Sequence, residues 1–143
     1  MFPVCSPGYL EKIGNPNDPK DIFNKTILFL DETQMGWVNW DEWFAGVGLE
    51  QIAPKSRINI NNYPMLLQAS INGQGIALAW GSLADEYLQS GALVRPTEHV
   101  LATESKFSLL EPDNGGRIPA SVKYFREWLL TQLPEEVGDT GLV

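Results

Sequence analysis

The sequence offers few side chains that could act as catalysts, and their spacing assembles no active site. His99 is the only histidine, so a Ser-His-Asp or Cys-His arrangement would have to use it. It stands in a polar stretch with no G-x-S-x-G nucleophile elbow, which is typical of a surface histidine. The carboxylate pairs Asp31-Glu32 and Asp41-Glu42 are adjacent residues, whose side chains diverge on a regular element. We therefore expect no enzymatic activity and no metal site.

The other reactive group is Cys5, the single cysteine of the chain. It has no partner for an intramolecular disulfide, which fits a reducing cytosol. A reactive thiol needs a lowered pKa from a nearby cation, and no Lys, Arg or His flanks this residue. We expect Cys5 to be a small buried apolar side chain.

A cofactor-binding loop is also absent from the pattern. Gly73-Gln74-Gly75 superficially resembles a dinucleotide fingerprint, but it lies between a predicted helix and the strand that follows. The fingerprint needs strand before helix, so that the helix N-terminus meets the pyrophosphate. We interpret Gly73 as a helix C-cap and Gly75 as a turn residue, and we predict no cofactor.

The tryptophans are better candidates for binding than for catalysis. Trp37, Trp40 and Trp43 lie in one short segment, and core packing would account for them. Alternatively, the loop at 34–37 precedes a helix N-terminus, where unpaired N–H groups hold small anions. Trp37 would then give an apolar wall to a small ligand. In open α/β sheets such ligands lie outside the carboxyl ends of the strands, which also points to Trp80.

The elements that must position these residues alternate between short apolar runs and helical stretches, the pattern of an α/β chain. Ser6-Pro7-Gly8 indicates a turn after the first strand, and Asn62 and Ser82 are predicted N-caps. The predicted strands are 2–5, 26–30, 57–61 (half-buried), 76–80 and 107–110, and the predicted helices are 18–25, 38–45, 62–72, 82–89 and 118–133. Short connections between strands and helices favour a largely parallel or mixed sheet.

Composition limits the classes of partner. The 143 residues are 43% hydrophobic and 20% charged, which is typical of one globular domain. A net charge of −8 argues against DNA binding by this part of the protein, because contact with the phosphate backbone needs clustered Lys and Arg side chains. The sequence contains no membrane-spanning run of 18 apolar residues and no secretory signal at its start.

Five segments in order resemble one known family. Residues 4–10 are similar to "V-x-S-P-x-Y-L", and Trp37-x-x-Trp40 is followed by Gly46. Residues 66–78 match "L-x-Q-A-x-x-x-G-x-G-[IV]-A-L", and the segments 90–96 and 125–129 complete the order. Together they resemble the effector-binding domain of LysR-type transcriptional regulators, in the branch that includes the glycine-cleavage regulator.

The resemblance implies a type 2 periplasmic-binding-protein-like fold, in which two α/β lobes joined by crossing strands enclose a ligand cleft. The expected fold class is α/β, with a mixed, mostly parallel sheet and helices on both faces. Residues 1–106 would form the second lobe, and 107–134 would form the return crossing strand and a helix of the first lobe. Residues 135–143 would be a flexible tail. The helix-turn-helix and most of the first lobe would then be missing from this chain.

The resemblance also implies a function. The chain would sense a small effector, an amino acid or a small carboxylate, and reach DNA only through the missing helix-turn-helix. It would be cytoplasmic, homodimeric and independent of membranes. The implied ligand contacts are Gln34, Met35, Gly36 and Trp37, with Ser6 and Trp80 as weaker candidates. The implied interface is the apolar stripe of the last helix, Ile118, Val122, Phe125 and Leu129.

One departure from the family affects ligand identity. The family strand usually ends "A-L-x-P", whereas here it ends Ala79-Trp80-Gly81-Ser82, and a tryptophan there would narrow the cleft. The alternative is a fragment of a type 2 solute-binding protein for transport, which shares the fold but needs an export signal.

Overall fold

The computed structural model describes residues 1–16, 18–31, 38–49, 54–103, 109–110 and 118–132. The chain forms two compact units, Met1–Ser105 and Lys106–Val143. The first unit contains β1 (Phe2–Val4), α1 (Pro7–Ile13), a 3-10 helix (Pro19–Asn24), β2 (Thr26–Leu30), α2 (Trp40–Gly46), β3 (Ser56–Ile60), α3 (Tyr63–Ile71), β4 (Ala77–Ala79) and α4 (Gly81–Gln89). The second unit contains α5 (Ala120–Thr131).

The strands form two pairs, β2-β3 and β1-β4, and one bridge joins the pairs into a mixed sheet in the order β3-β2-β4-β1. β2 pairs parallel with β3, and a parallel bridge between Ile27 and Ile76 joins β2 to the start of β4. β4 pairs antiparallel with β1, and a further antiparallel bridge joins Cys5 to Val94. The α/β class and the mixed sheet are therefore confirmed.

Side chains that alternate along the strands pack into two separate cores, one on each face of the sheet. On β2, Ile27 and Phe29 belong to one core and Leu28 belongs to the other. The first core is completed by α1, the 3-10 helix and α2, and the second by α3 and α4. This is the two-residue period of a strand buried on both faces, and it confirms helices on both sides.

Local capping chemistry explains where several helices begin. Asn62 accepts a hydrogen bond from Met65 N at 3.1 Å, as the prediction of an N-cap requires. Asn39 and Glu42 form a reciprocal capping box at the start of α2. Asp18 caps the first predicted helix, at 18–25, but the element that begins there is a 3-10 helix instead of an α-helix.

The structure corrects the interpretation of Ser6-Pro7-Gly8 as a turn. These residues begin α1, because Ser6 Oγ accepts from Tyr9 N at 3.3 Å and Pro7 occupies the first turn. The predicted cap at Ser82 is also wrong, since the N-cap of α4 is Trp80, two residues earlier, and no side-chain hydrogen bond caps the helix there.

Two other predictions differ from the structure at the edges of the fold. β3 was predicted to be half-buried, yet four of its five residues are exposed, because it is the outermost strand and pairs only with β2 among the described residues. The predicted strand at 107–110 falls partly outside the described residues, and the described Leu109 and Leu110 are not in a strand. None of the helices in the described ranges is both long and apolar enough to cross a membrane.

Candidate functional site

A small cavity lies where the carboxyl ends of β2 and β4 meet the N-termini of α2 and α3. Its volume is about 30 Å³, room for only a few water molecules, since each needs about 10–15 Å³ of such space. The described residues that line it are Met1, Leu28, Phe29, Leu30, Asp31, Val38, Asn39, Trp40, Tyr63, Leu66, Leu78 and Trp80. This is the edge of an α/β sheet at which small ligands usually bind.

Two aromatic side chains form one wall of the cavity. The rings of Tyr63 and Trp80 are tilted, with centroids 4.6 Å apart, and Trp80 N donates to the Tyr63 hydroxyl at 3.1 Å. Burial raises the pKa of Tyr63 to about 12, although the N–H of Trp80 acts in the opposite direction. The hydroxyl is therefore neutral at physiological pH, and the wall carries no charge.

A third aromatic side chain is fixed by a hydrogen bond to the sheet. Trp40 is buried, and its Nε1 donates to the backbone oxygen of Leu28 at 2.9 Å. Its ring lies 5.2 Å from that of Phe44 and 5.6 Å from that of Trp43. Core packing therefore accounts for two of the three clustered tryptophans, while Trp37 lies outside the described residues.

The negative charge at the cavity rim comes from Asp31, which directly follows β2. Its backbone N donates to Ile60 O at 2.8 Å, and the residue is exposed. Among the described residues that line the cavity, it is the single carboxylate. An ammonium group would be favoured beside it on Coulombic grounds.

The structure separates the two weaker ligand candidates. Trp80 lines the cavity, whereas Ser6 lies at the opposite edge of the sheet, because β1 runs antiparallel to β4. There Ser6 Oγ caps α1, beside an open groove that also includes Lys12 and Gly73. Gln34, Met35, Gly36 and Trp37 lie outside the described residues.

Tyr63 is a lining residue that the sequence interpretation did not identify. The available signal was its position, directly after β3 and the cap residue Asn62, which places it at the carboxyl edge of the sheet.

The residues considered for catalysis, Cys5 and His99, lie apart from the cavity in ordinary buried and exposed positions. Cys5 is buried as predicted, and burial raises the pKa of its thiol to about 12. His99 is exposed, and its Nδ1 lies 2.7 Å from the Thr97 hydroxyl. Within the described ranges no three His, Cys, Asp or Glu side chains are grouped so that they could hold a metal.

The helix of the second unit carries many exposed apolar side chains. α5 has no buried residue, and its exposed large side chains include Val122, Tyr124, Phe125 and Trp128. Ile118, two residues before the helix, is also exposed, and Leu129 is partly buried.

Comparison with known proteins places this geometry in a family. A family profile described as the LysR substrate binding domain matches residues 1–134. The glycine cleavage system transcriptional activator of Escherichia coli K12 is 30% identical over 136 residues, which is 95% of this chain and 43% of the activator. The chain thus spans less than half of the length of that relative.

Solved structures show the same fold. The effector domain of the regulator AmpR from Pseudomonas aeruginosa superposes with a TM-score of 0.64 at 23% identity, covering 92% of this chain and 59% of that one. The AmpR effector binding domain from Citrobacter freundii gives a TM-score of 0.63 at 19% identity, covering 92% and 62%. The fold is therefore the type 2 periplasmic-binding-like fold of these domains, and the chain belongs to the LysR family of substrate-binding, or effector-binding, domains of transcriptional regulators.

Proposed function

We propose that this chain supplies one wall of an effector cleft in a LysR-type regulator, at the sheet edge that carries the cavity. A small metabolite bound between this wall and the first lobe favours one arrangement of the lobes. That arrangement alters how paired subunits present their helix-turn-helix domains to DNA, which gives ligand-dependent control of transcription.

The observation that carries this proposal is the small size of the cavity at an otherwise well-formed ligand edge. A volume of about 30 Å³ holds no metabolite, because ligand pockets usually measure roughly 300–1,000 Å³. The described residues thus offer an apolar aromatic wall and a charged rim, but no enclosed pocket. A second body facing this edge would complete the site.

The division of the chain in this proposal follows the family resemblance. Residues 1–106 are the second lobe, 107–134 return to the first lobe and contribute its last helix, and 135–143 are a tail. Gln34, Met35, Gly36 and Trp37 contact the effector together with Trp80. Ser6 is the weakest of the proposed contacts, because it lies across the sheet from Trp80.

The effector is an amino acid or a small carboxylate. Asp31 at the rim favours an ammonium group, and the name of the Escherichia coli relative connects that protein with glycine cleavage. DNA contact belongs to the helix-turn-helix and not to this chain, whose net charge is −8. The regulator acts in the cytoplasm and performs no catalysis. The transport alternative is not favoured, since the relatives are transcriptional regulators.

Self-association would bury the apolar side chains of α5. We expect Ile118, Val122, Phe125 and Leu129 to pack against a first lobe or a second copy of the chain, because full burial of such side chains contributes about 1.5–3 kcal/mol each. The expected product in this chain is a homodimer.

The proposal is tested by comparing the 143-residue chain with the full-length regulator that contains both lobes. Amino acids and small carboxylates are titrated against tryptophan fluorescence in both proteins. We expect micromolar binding in the full-length regulator and binding at least a hundredfold weaker in the chain alone. Micromolar affinity in the isolated chain would contradict the incomplete cleft, and no response of the full-length protein to any compound would contradict effector sensing.

A further inference from the structure

Beside the cavity, an arginine on the edge strand is held at two points. The guanidinium carbon of Arg57 lies 3.7 Å above the centre of the Phe29 ring, a cation–π geometry. Arg57 Nε donates to Asn59 Oδ1 at 2.5 Å. The two residues are two positions apart on β3, so their side chains leave the same face of the strand. The guanidinium is therefore ordered before any ligand arrives.

The register of the sheet places this group close to the proposed effector site. Phe29 pairs with Asn59, one residue before the carboxyl ends of β2 and β3. Phe29 also lines the cavity, and its ring lies 6.4 Å from that of Trp40. The guanidinium thus covers an aromatic ring whose neighbours form the cavity wall.

Within the described ranges, the terminal nitrogens of Arg57 have no partner. Arg57 is exposed, and no described residue accepts a hydrogen bond from its two Nη atoms. Two other cationic side chains of the first unit are hydrogen-bonded to backbone oxygens: Lys25 Nζ donates to Ile13 O, and Arg95 Nη2 donates to Glu98 O. Among the described residues that line the cavity, the positive charge is the backbone ammonium of Met1, which donates to Leu101 O, and none carries a positive side chain. Arg57 is therefore well placed to supply one.

We propose that Arg57 is the carboxylate anchor of the effector site, with Asn59 and Phe29 as the residues that position it. A planar guanidinium offers two parallel N–H donors to a carboxylate, and it is fixed here by its Nε and its face. This inference deepens the proposed function and rests on it. In this arrangement the carboxylate of the effector binds Arg57 on β3, and its ammonium group lies beside Asp31.

The test uses acetate as the probe and acetamide as its neutral counterpart, at constant ionic strength. Both are titrated into the 143-residue chain while the Arg57 Nε–Hε signal and the Asn59 backbone signal are followed by NMR. We expect saturable shifts with acetate in the millimolar range and none with acetamide. Arg57→Gln, and also Arg57→Lys, which keeps the charge but loses the planar fork, are expected to weaken acetate binding about tenfold or more.

Lys55→Gln is the matched control, because it removes one exposed positive charge next to the same strand and leaves Arg57 intact. Equal acetate affinity in wild type and Arg57→Gln would overturn the inference, as would an equal loss in Lys55→Gln or no saturable shift in wild type. In the full-length regulator, an unchanged effector affinity in Arg57→Gln would refute the anchor and leave the proposed function standing. Acetate binding lost in Arg57→Gln, in a regulator that responds to no metabolite, would support carboxylate binding by Arg57 and refute the proposed effector-sensing function.

Discussion

Replacing each of two buried tryptophans with phenylalanine separates the contribution of a hydrogen bond from that of ring packing. Trp40 and Trp43 are both at most 2% exposed and lie on the same helix, but they differ in one respect. Trp40 Nε1 donates to Leu28 O, whereas Trp43 Nε1 is buried with no hydrogen-bond partner among the described residues. Trp40→Phe therefore leaves the oxygen of Leu28 without that donor, while Trp43→Phe removes an unsatisfied donor.

The expected difference follows from the cost of an unsatisfied buried polar group, about 1–3 kcal/mol. Both variants lose ring volume, so the packing losses largely cancel when the two are compared. Trp40→Phe should be less stable than Trp43→Phe by about 2 kcal/mol. With a urea m-value of about 2 kcal/mol per molar for a domain of this size, the unfolding midpoints should differ by about 1 M.

Equilibrium unfolding in urea, followed by far-UV circular dichroism, measures this difference without depending on the tryptophan signal. Similar m-values in the two variants show that the comparison reports native-state interactions. If Trp43→Phe proves as destabilised as Trp40→Phe, or more so, the hydrogen bond from Trp40 to Leu28 O does not stabilise the fold.

Three further predictions concern other parts of the chain. Gly75→Ala should lower the free energy of unfolding, measured with heat or urea, by about 1–3 kcal/mol, since the new Cβ would lie 2.6 Å from the backbone oxygen of Thr26. A Gly75→Ala variant as stable as the wild type would show that the two strands move apart at little cost. Burial raises the pKa of Cys5 from 9.0 to about 12. The neutral thiol therefore makes its full contribution to the free energy of unfolding below pH 9, where the unfolded chain is also protonated. That contribution should be lost between pH 9 and 12, at no more than about 1.4 kcal/mol per pH unit, and Cys5→Ala should show a flatter dependence in this window. Phe125→Glu should shift the chain from dimer to monomer in light scattering, and a monomeric wild type would contradict the proposed interface.

The sequence predicts those elements best whose ends carry short-range chemical signals. Asn62 followed by Pro64 locates the start of α3, and Gly73, with φ of +72°, ends that helical segment as the C-cap pattern predicts. α1 was missed because Ser6-Pro7-Gly8 fits both a turn and a helix start. This segment is helical because the helix buries Tyr9, whose hydroxyl accepts a hydrogen bond from Thr26 N at 3.1 Å. That contact spans 17 residues, and a local pattern contains no information about it.

The candidate site was predictable only in part, for a related reason. The sequence shows where each strand ends, but it does not show in which direction each strand runs within the sheet. Trp80 directly follows β4, which runs parallel to β2, so it lines the cavity. Ser6 follows the antiparallel β1 and lies at the opposite edge. Arg57 was predicted as part of a half-buried strand, and its contact with Phe29 depends on the β2–β3 register.

The same strand directions bring two further parts of the chain to the cavity edge. Since β1 runs opposite to β4, its first residues lie beside the carboxyl end of β4, and Met1 lines the cavity. Leu101 N donates to Met1 O at 2.8 Å, so the segment that follows Val94 also returns to this edge. The chain therefore leaves the sheet beside the aromatic wall of Tyr63 and Trp80.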